Sequence, residues 1–346
     1  LTAAPTRGNP TKTTRLVDST GGQVYRTIES RVVDAHGRVT AVTDAKGRTT
    51  ATAYTPSTGT PLRQFAVTSP DPDGAGSVTP LVTTTVLDPR RGMATSVTAP
   101  NGTVTDTTRD ALGRTTAVWF PGRAKASYPT APSSRYTYTL RASGPNAVTT
   151  ETLNAYGGYS VSVQIYDGLM RPRQVQRSSA SETGRLISDT LYDSRGNAVT
   201  IRGPIWDTAA PATTVATFAD LNTPLIVGTT IDGAGRVTDE ITKIRGVEAW
   251  RTTTSYGGDR VSVDPPTGGV PTMTVTDIRG NTTALTQYNG ATPSGAGTTT
   301  TYSYDLLDRL TRVTDTKGND WTSTYNLQGE KVSSTDPDKG ATTLTY

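Results

Sequence analysis

The feature that most constrains the fold is a fixed spacing near the end of the chain, where Tyr304, Tyr325 and Tyr346 follow one another at intervals of 21 residues. A turn motif recurs between them, and its first residues advance by 10, 11 and 10 positions: Asp305, Asp315, Asn326 and Asp336. Regular spacing of this kind is typical of repeat proteins, in which each repeat packs against its neighbours. Each conspicuous aspartate, glycine or tyrosine is therefore interpreted first as a repeat residue and second as a candidate for chemistry.

The motif reads Asp-x-x-Gly followed by Arg or Asn, and it predicts a β-hairpin turn. Aspartate in the first position accepts hydrogen bonds from backbone N–H groups further along the turn. Glycine in the fourth position adopts the left-handed conformation that a three-residue hairpin loop with a bulge requires. The residues assigned to these two positions are Asp34, Gly37, Asp44, Gly47, Asp110, Gly113, Asp193, Gly196, Asp232, Gly235, Asp277, Gly280, Asp305, Asp315, Gly318, Asn326 and Gly329.

Two further positions of the motif carry predictions. Tyr192, Tyr304 and Tyr325 directly precede a turn, and we expect their rings to stack between neighbouring strands. In the copy that begins at Asp167, Met170 takes the place of the glycine. The sequence therefore predicts that this turn deviates from the others.

About six residues with alternating Thr, Val and Tyr separate one turn from the next. That length matches a strand and leaves no room for a helix. The predicted fold class is all-β, a meander of antiparallel β-hairpin repeats that advances by one strand and one turn per motif. We expect a single array over residues 1–346, interrupted by irregular excursions near 69–80, 119–135 and 204–224 that are rich in Pro, Ala and Thr and run over the surface.

Composition excludes several classes of function. The formal net charge is +4, but the 34 Lys and Arg residues are spread singly along the chain, which argues against nucleic-acid binding. The absence of cysteine excludes disulfides and thiolate metal sites. No apolar run approaches the roughly 18 residues that a membrane-spanning helix needs, and no signal peptide is visible. The first residue is not Met and the last is a repeat tyrosine, so we expect a piece of a longer polypeptide.

The pattern Tyr-Asp-x-x-Gly-Arg with a period near 21 residues resembles the Rhs or YD-repeat proteins of bacteria, whose relatives include insecticidal toxin-complex components and animal teneurins. The resemblance extends from about Val17 to Tyr346. It is sharpest at the pairs Tyr192-Asp193, Tyr304-Asp305 and Tyr325-Asn326.

This resemblance implies a β-sheet ribbon that spirals into a hollow shell, which in the family often encloses a toxic C-terminal polypeptide. In many members a core segment closes the shell and releases the toxin by self-cleavage with aspartates. Neither an Asp-Pro-x-Gly-Leu type segment nor a toxin domain is found in this sequence. The chain is thus expected to be part of the shell wall, without plug, cleavage site or cargo.

No residue is assigned to catalysis, to a cofactor or to a metal. Most aspartates occupy the first position of a turn, which accounts for them without a catalytic pair of carboxylates. The segments 71–74 and 336–338 have a faint likeness to calcium loops but lack the further oxygen ligands and the glutamate. With no cysteine and a single His36 in a turn, Cys–His catalysis and multi-histidine metal sites are excluded.

Two tryptophans in the excursions, Trp119 and Trp206, are candidates for stacking on sugars. The favoured interpretation is that each fills a gap where the strand spacing breaks.

Three functions follow from these observations. The preferred one is a secreted or cell-surface structural shell that encloses a toxin or effector cargo from the same polypeptide, with no cofactor and no covalent chemistry. The second is an adhesin-like surface array that recognises glycans or a partner cell. The third is a glycosidase on a β scaffold, which requires two carboxylates that face each other in a groove outside the turns.

Overall fold

The computed structural model describes residues 8–18, 21–70, 81–180 and 182–346. Within these residues the regular structure is β-strand, apart from one 3₁₀ helix at Asp220–Asn222. The chain divides into two compact units: a first unit of Leu1–Tyr138 and Thr149–Val161, and a second unit of Thr139–Val148 and Ser162–Tyr346.

The first unit is a meander in which each strand pairs antiparallel with the next one along the chain. In β4 (Thr49–Thr55), exposed and half-buried residues alternate, as in a strand with one face towards water. The other strands are β1 (Lys12–Asp18), β2 (Val24–Val33), β3 (Val39–Asp44), β5 (Gln64–Thr68), β6 (Val82–Asp88), β7 (Met93–Thr98), β8 (Val104–Arg109), β9 (Thr115–Trp119) and β10 (Ser134–Thr139).

Strands β10, β11 (Ala147–Leu153) and β12 (Tyr159–Tyr166) contribute residues to both units. In the second unit, from β12 onward, each strand again pairs antiparallel with its successor. Its further strands are β13 (Pro172–Ser178), β14 (Arg185–Tyr192), β15 (Ala198–Asp207), β16 (Ile226–Ile231), β17 (Val237–Ile244), β18 (Val247–Gly257), β19 (Arg260–Asp264), β20 (Thr272–Thr276), β21 (Thr282–Tyr288), β22 (Gly297–Tyr304), β23 (Leu310–Thr314), β24 (Asp320–Tyr325), β25 (Lys331–Asp336) and β26 (Gly340–Thr343).

These strands confirm the predicted fold class, an all-β array of antiparallel hairpin repeats. The connections between most successive strands are the predicted short turns, because the intervening residues favour turns and the flanking Thr and Val residues favour strands. That both units form a single array over residues 1–346 stays a prediction.

Two backbone hydrogen bonds close each regular turn, as between β2 and β3. The Gly37 N–H donates to the Asp34 carbonyl at 3.0 Å, and the Asp34 N–H donates to the Arg38 carbonyl at 2.9 Å. Gly37 has a φ of 78°, in the left-handed region. The strand register shifts between Val32 and Val33, where the bulge begins. The turn therefore has the form that the motif predicts from its aspartate and glycine.

The prediction that the turn at 167–171 deviates is wrong. Met170 adopts a φ of 60°, and its N–H donates to the Asp167 carbonyl at 3.0 Å, as a glycine in this position does. A side chain in the left-handed region costs about 1–2 kcal/mol. The surrounding turn therefore imposes its conformation on a residue that disfavours it.

The three excursions differ from the predicted bounds by a few residues. Of the first, only Ser69 and Pro70 belong to the described part of the chain, so the calcium-like segment 71–74 lies outside the described residues. The second runs over residues 120–133, between β9 and β10. The third begins at residue 208, because β15 continues to Asp207.

Several of the most buried side chains of the second unit lie on one face of strands β12 to β15. Cross-strand partners share a face of an antiparallel sheet. One row of such partners consists of Val163, Gln176, Ile187 and Ile205, which are 6% exposed or less. The adjacent row consists of Ile165, Gln174, Asp189 and Arg202.

Residues 208–219, called the strap below, lie against this face and bond to the side chains of Gln174 and Gln176. The prediction that the excursion at 204–224 runs over the surface is therefore wrong for part of its length, because the strap covers the core of the second unit. The reason is that an open sheet face with several apolar side chains gains free energy when any segment removes it from water.

Candidate functional site

The regular turns are the first candidate site, because the sequence places most of its conspicuous residues there. In the turn at 305–309, the Asp305 Oδ1 accepts the N–H groups of Leu307 at 2.9 Å and Arg309 at 3.0 Å. Its Oδ2 accepts the Arg309 Nε–H at 2.7 Å. The carboxylate therefore satisfies three donors of its own turn, which is more than a neutral side chain of the same size achieves.

The arginine of the turn also contacts a tyrosine that ends a later strand. In the turn at 305–309, the Arg309 Cζ lies 4.9 Å from the centroid of the Tyr325 ring, and the Tyr325 hydroxyl donates to the Leu310 carbonyl at 2.8 Å. We call this set of turn aspartate, turn arginine and later tyrosine a clasp. Five clasps share the geometry: Asp34–Arg38–Tyr54, Asp110–Arg114–Tyr138, Asp167–Arg171–Tyr192, Asp232–Arg236–Tyr256 and Asp305–Arg309–Tyr325.

The clasp places its tyrosine two strands after the turn, which is twice the interval at which the turns recur. Two strands carry the chain away from one edge of the sheet and back to it, so the tyrosine reaches the turn that precedes it at the same edge. The Arg309 Nη1 also donates to the Asn326 carbonyl at 2.7 Å, which links two successive turns of that edge. The predicted stacking of tyrosine between strands is thus replaced by stacking under a guanidinium.

Tyr304, unlike Tyr192 and Tyr325, is not part of a clasp. The preceding turn at the same edge has Asn281 in place of arginine, and the Asn281 Nδ2 donates to Asp277 at 3.1 Å and to Asp308 at 2.8 Å. Burial raises the pKa of Tyr304, with smaller contributions from Tyr302 and Asp277. The fifth residue of the turn therefore decides whether the following tyrosine receives a cation.

The turns keep their carboxylates ionised. The backbone N–H of Arg236 is the main cause that lowers the pKa of Asp232, and the guanidinium of Arg48 is the main cause for Asp44. In β24, the guanidinium of Arg312 lowers the pKa of Asp320 to about 2. A general acid at neutral pH needs a raised pKa, so these carboxylates are suited to accept hydrogen bonds rather than to donate protons.

No metal site is evident in the part of the chain that the structure describes, since no group of three or more His, Asp or Glu side chains is arranged to hold an ion. His36 is exposed in its turn. Its backbone N–H donates to the Asp34 Oδ1 at 2.8 Å, and its Nε2 accepts the Gly59 N–H at 3.3 Å. The absence of a catalytic, cofactor or metal residue stays a prediction.

The two candidate sugar-binding tryptophans have different environments. Trp119 is 4% exposed, and its Nε1–H donates to the Tyr128 carbonyl at 2.7 Å, while the Lys125 Nζ lies 5.3 Å from its ring centroid. This corrects the glycan-stacking hypothesis for Trp119, because its ring has no free face for a sugar, and it supports the gap-filling alternative. Trp206 is 44% exposed, and its role stays a hypothesis.

A second arrangement, which the sequence analysis missed, lies beneath the strap. Gln174 and Gln176 are 1% and 0% exposed. The Gln176 Nε2 donates to the Gln174 Oε1 at 2.8 Å. At one end of the pair the Arg185 Nη1 donates to the Gln176 Oε1 at 2.7 Å, and at the other the Gln174 Nε2 donates to the Asp189 Oδ1 at 3.3 Å. A hydrogen-bonded chain therefore runs from a guanidinium to a carboxylate across the sheet face.

Comparison with known proteins supports the assignment of the fold. The RHS Repeat family model matches residues 294–320. The structure of TcdB2-TccC3 has a TM-score of 0.73 at 14% sequence identity, and the match covers 97% of this chain and 20% of that chain. TcdB2-TccC3 without its hypervariable C-terminal region gives the same TM-score of 0.73 and the same 14% identity, over 96% of this chain and 22% of that chain.

The resemblance to the Rhs/YD-repeat family is thereby confirmed: the chain carries an RHS repeat and has the fold of a segment of these toxin-complex structures. It spans about one fifth of the length of the chains that it matches. Among curated proteins, none matches. No helix in the described residues has the length and apolar character required to cross a membrane.

Proposed function

We propose that the chain is a wall segment of a secreted Rhs-type shell that encloses and protects a toxin or effector cargo of the same polypeptide. The observation that carries this proposal is the fold likeness to TcdB2-TccC3 over 97% of the chain. TcdB2-TccC3 has a hypervariable C-terminal region, and one of its structures was determined without that region. This supports a division into a wall and a variable C-terminal segment.

The geometry of the repeats fits a role as a wall. Ladder hydrogen bonds between successive strands leave few backbone groups free for attack, and a protease needs an extended, unpaired segment. The clasps fix successive hairpins to one another at the sheet edge. In this proposal the chain performs no covalent chemistry, and its mechanism is containment.

Limited proteolysis of the native polypeptide that contains this chain tests the proposal. Trypsin treatment under native conditions is expected to leave the C-terminal cargo intact, while the same treatment in a denaturing urea concentration digests it. A matched sample with the cargo expressed alone provides the unprotected rate of cleavage. Equal cleavage of the cargo inside and outside the native polypeptide would overturn the proposal.

A second experiment separates containment from the adhesin-like alternative, in which the chain recognises glycans on a surface. The native polypeptide and a Trp206→Ala variant are applied to a glycan array. The containment proposal expects no binding that depends on Trp206. Specific binding that the substitution abolishes, together with an unprotected cargo, favours the adhesin-like alternative.

A further inference from the structure

We propose that Gln174 and Gln176 form a binding site for an extended polypeptide segment, and that the strap occupies this site in the structure. The proposal concerns one sheet face of the second unit and does not depend on enclosure of a cargo. It rests on the way in which the two side chains contact the strap.

The contacts are made to the backbone of the strap. The Gln174 Oε1 accepts the Ala216 N–H at 2.8 Å, and its Nε2 donates to the Ala216 carbonyl at 2.9 Å. The Gln176 Oε1 accepts the Ala212 N–H at 2.8 Å, and its Nε2 donates to the Thr214 carbonyl at 2.8 Å. A carboxamide offers the same donor and acceptor as a peptide group. The pair thus binds the strap as a neighbouring strand would, without reading its side chains.

The pair is preorganised for this task by the charged groups at its two ends. Arg185 has only donors and the Asp189 carboxylate has only acceptors, so the orientation of each amide between them is fixed. Each carboxamide therefore presents its N–H and its oxygen in a constant direction even before a strand is bound. Preorganisation of this kind lowers the entropy that binding has to overcome.

The surroundings define the chemistry of the segment that fits. Val163, Ile165 and Ile187, which neighbour the pair in the register, are 0–2% exposed. A charged side chain placed directly against these three apolar side chains loses part of its hydration. The strap satisfies this requirement with Ala, Thr and Val over residues 212–216. The partner that fits is an extended segment with small, uncharged side chains.

The strap is held by side chains of other elements and, within the described part of the chain, by no ladder of backbone bonds to a neighbouring strand. Its bonds come from side chains of the sheet, and Arg141 adds a further contact through its Nη1 to the Thr213 carbonyl at 2.9 Å. A cavity of about 420 Å³ lies beside Val215. Because the strap is tethered at both ends, its effective concentration is of the order of millimolar, and a free peptide competes poorly until the tethered contact is weakened.

A binding experiment with weakened strap contacts tests the proposal. The double variant Ala212→Pro, Ala216→Pro removes the two N–H donors and leaves the glutamines intact. A fluorescein-labelled peptide of the sequence 209–217 is titrated, and anisotropy is measured. We expect at least tenfold tighter binding to the double variant than to the unaltered protein. Thr217→Pro is the matched control, because it adds a proline outside the bonded residues, and it is expected to behave as the unaltered protein.

Two further arms separate backbone recognition from general adhesion. A peptide with N-methyl groups at the positions of Ala212 and Ala216 is expected to bind at least tenfold more weakly. Replacement of the pair by Gln174→Met and Gln176→Met in the double variant is expected to abolish binding. Equal binding of the N-methylated peptide, or no binding of the plain peptide to a folded double variant, would overturn the proposal.

Amide hydrogen exchange on the unaltered protein keeps the proposal testable if the double variant does not fold. The amides of Ala212 and Ala216 are expected to exchange by local opening, faster than the ladder amides of β13 and β14. If the strap amides exchange only as slowly as those strands, the strap is a fixed part of the core and the site is not available to another segment.

Discussion

Within the second unit, the turns at one sheet edge and the strap on the sheet face are held by different means. The turn at 305–309 is closed by bonds among its own residues and by one tyrosine of the following hairpin. The strap is held by side chains that belong to other elements, chiefly Gln174 and Gln176. The contacts of the turn join residues close in sequence and recur along the chain. The contacts of the strap join residues about 40 positions apart and do not follow the repeat.

The difference shows how a repeat array with half-buried faces obtains a core. Strands such as β24 leave most of their residues half-buried, so each repeat contributes little apolar burial. The strap removes one face of β12 to β15 from water and covers a group of deeply buried side chains there. Substitutions beneath the strap should consequently have larger effects than substitutions in the clasps.

The largest expected effect is that of Ile187→Ala. Ile187 is 1% exposed and lies between Gln176 and Ile205 in the register, so the substitution leaves a cavity beneath the strap. The free energy of unfolding is expected to fall by about 3 kcal/mol. Equilibrium urea unfolding followed by circular dichroism measures the change.

Ile278→Ala is the matched control, because Ile278 is fully exposed in a turn. The same chemical change there is expected to alter the free energy of unfolding by less than about 0.5 kcal/mol. Equal losses from both substitutions would show that the face beneath the strap is not a core.

A clasp should contribute less than the buried face. Arg309→Ala removes the ion pair with Asp305, the contact with the Tyr325 ring and the bond to the Asn326 carbonyl. The expected loss is about 1 kcal/mol, since exposed cation–π contacts and surface ion pairs each contribute up to about that amount. The same unfolding assay measures it.

The control for the clasp is Arg48→Ala. Arg48 is paired with Asp44 at 2.6 Å, but among the described residues no aromatic ring lies over its guanidinium. Its side chain is 51% exposed, and a loss below about 0.5 kcal/mol is expected. If Arg48→Ala costs as much as Arg309→Ala, the tyrosine adds nothing to the ion pair of the turn.

Met170→Gly should stabilise the protein by about 0.5–1 kcal/mol. Met170 has a φ of 60°, and glycine adopts this conformation without steric strain. Asp308 has a φ of 61° in the equivalent position of its turn but also pairs with Arg279 at 2.9 Å. Asp308→Gly is therefore expected to gain less in a thermal unfolding comparison, and a destabilised Met170→Gly protein would contradict the strain argument.

The smallest expected effect is the change in folding stability with pH that a single turn aspartate contributes. The pKa of Asp232 is lowered in the folded state, mainly by the backbone N–H of Arg236, so the folded state binds fewer protons than the unfolded state in acid. Its contribution to stability is present above the unfolded pKa of about 3.9 and is lost as the pH falls through the lowered folded value.

The urea concentration at the midpoint of unfolding, measured from pH 6 downward, should decrease once the pH is below about 4. The fall is expected to be smaller for Asp232→Asn, which keeps the turn bonds that Asn326 makes in its own turn and cannot titrate. A midpoint that rises on acidification would be inconsistent with lowered pKa values in the turns.

Periodicity made the strands and the turns predictable. Asp and Gly at fixed spacing specify a local turn, and the 21-residue interval specifies two strands, so neither needed knowledge of distant contacts. The same locality explains the error at Met170, where the rest of the turn overrides the preference of one residue.

Features that depend on distant segments were not predictable from the sequence. Gln174 and Gln176 alternate with Val175 in β13 and have the pattern of a strand face exposed to water. They are buried only because a segment about 40 positions further along lies over them. The burial of Trp119 also depends on tertiary contacts, since the excursion that follows it returns and accepts its indole N–H.

The most direct test of the containment account is a cryo-EM map of the native polypeptide that contains this chain. The account predicts a hollow, curved β wall with density of the cargo inside it. An open or solid array with no enclosed volume would contradict the account.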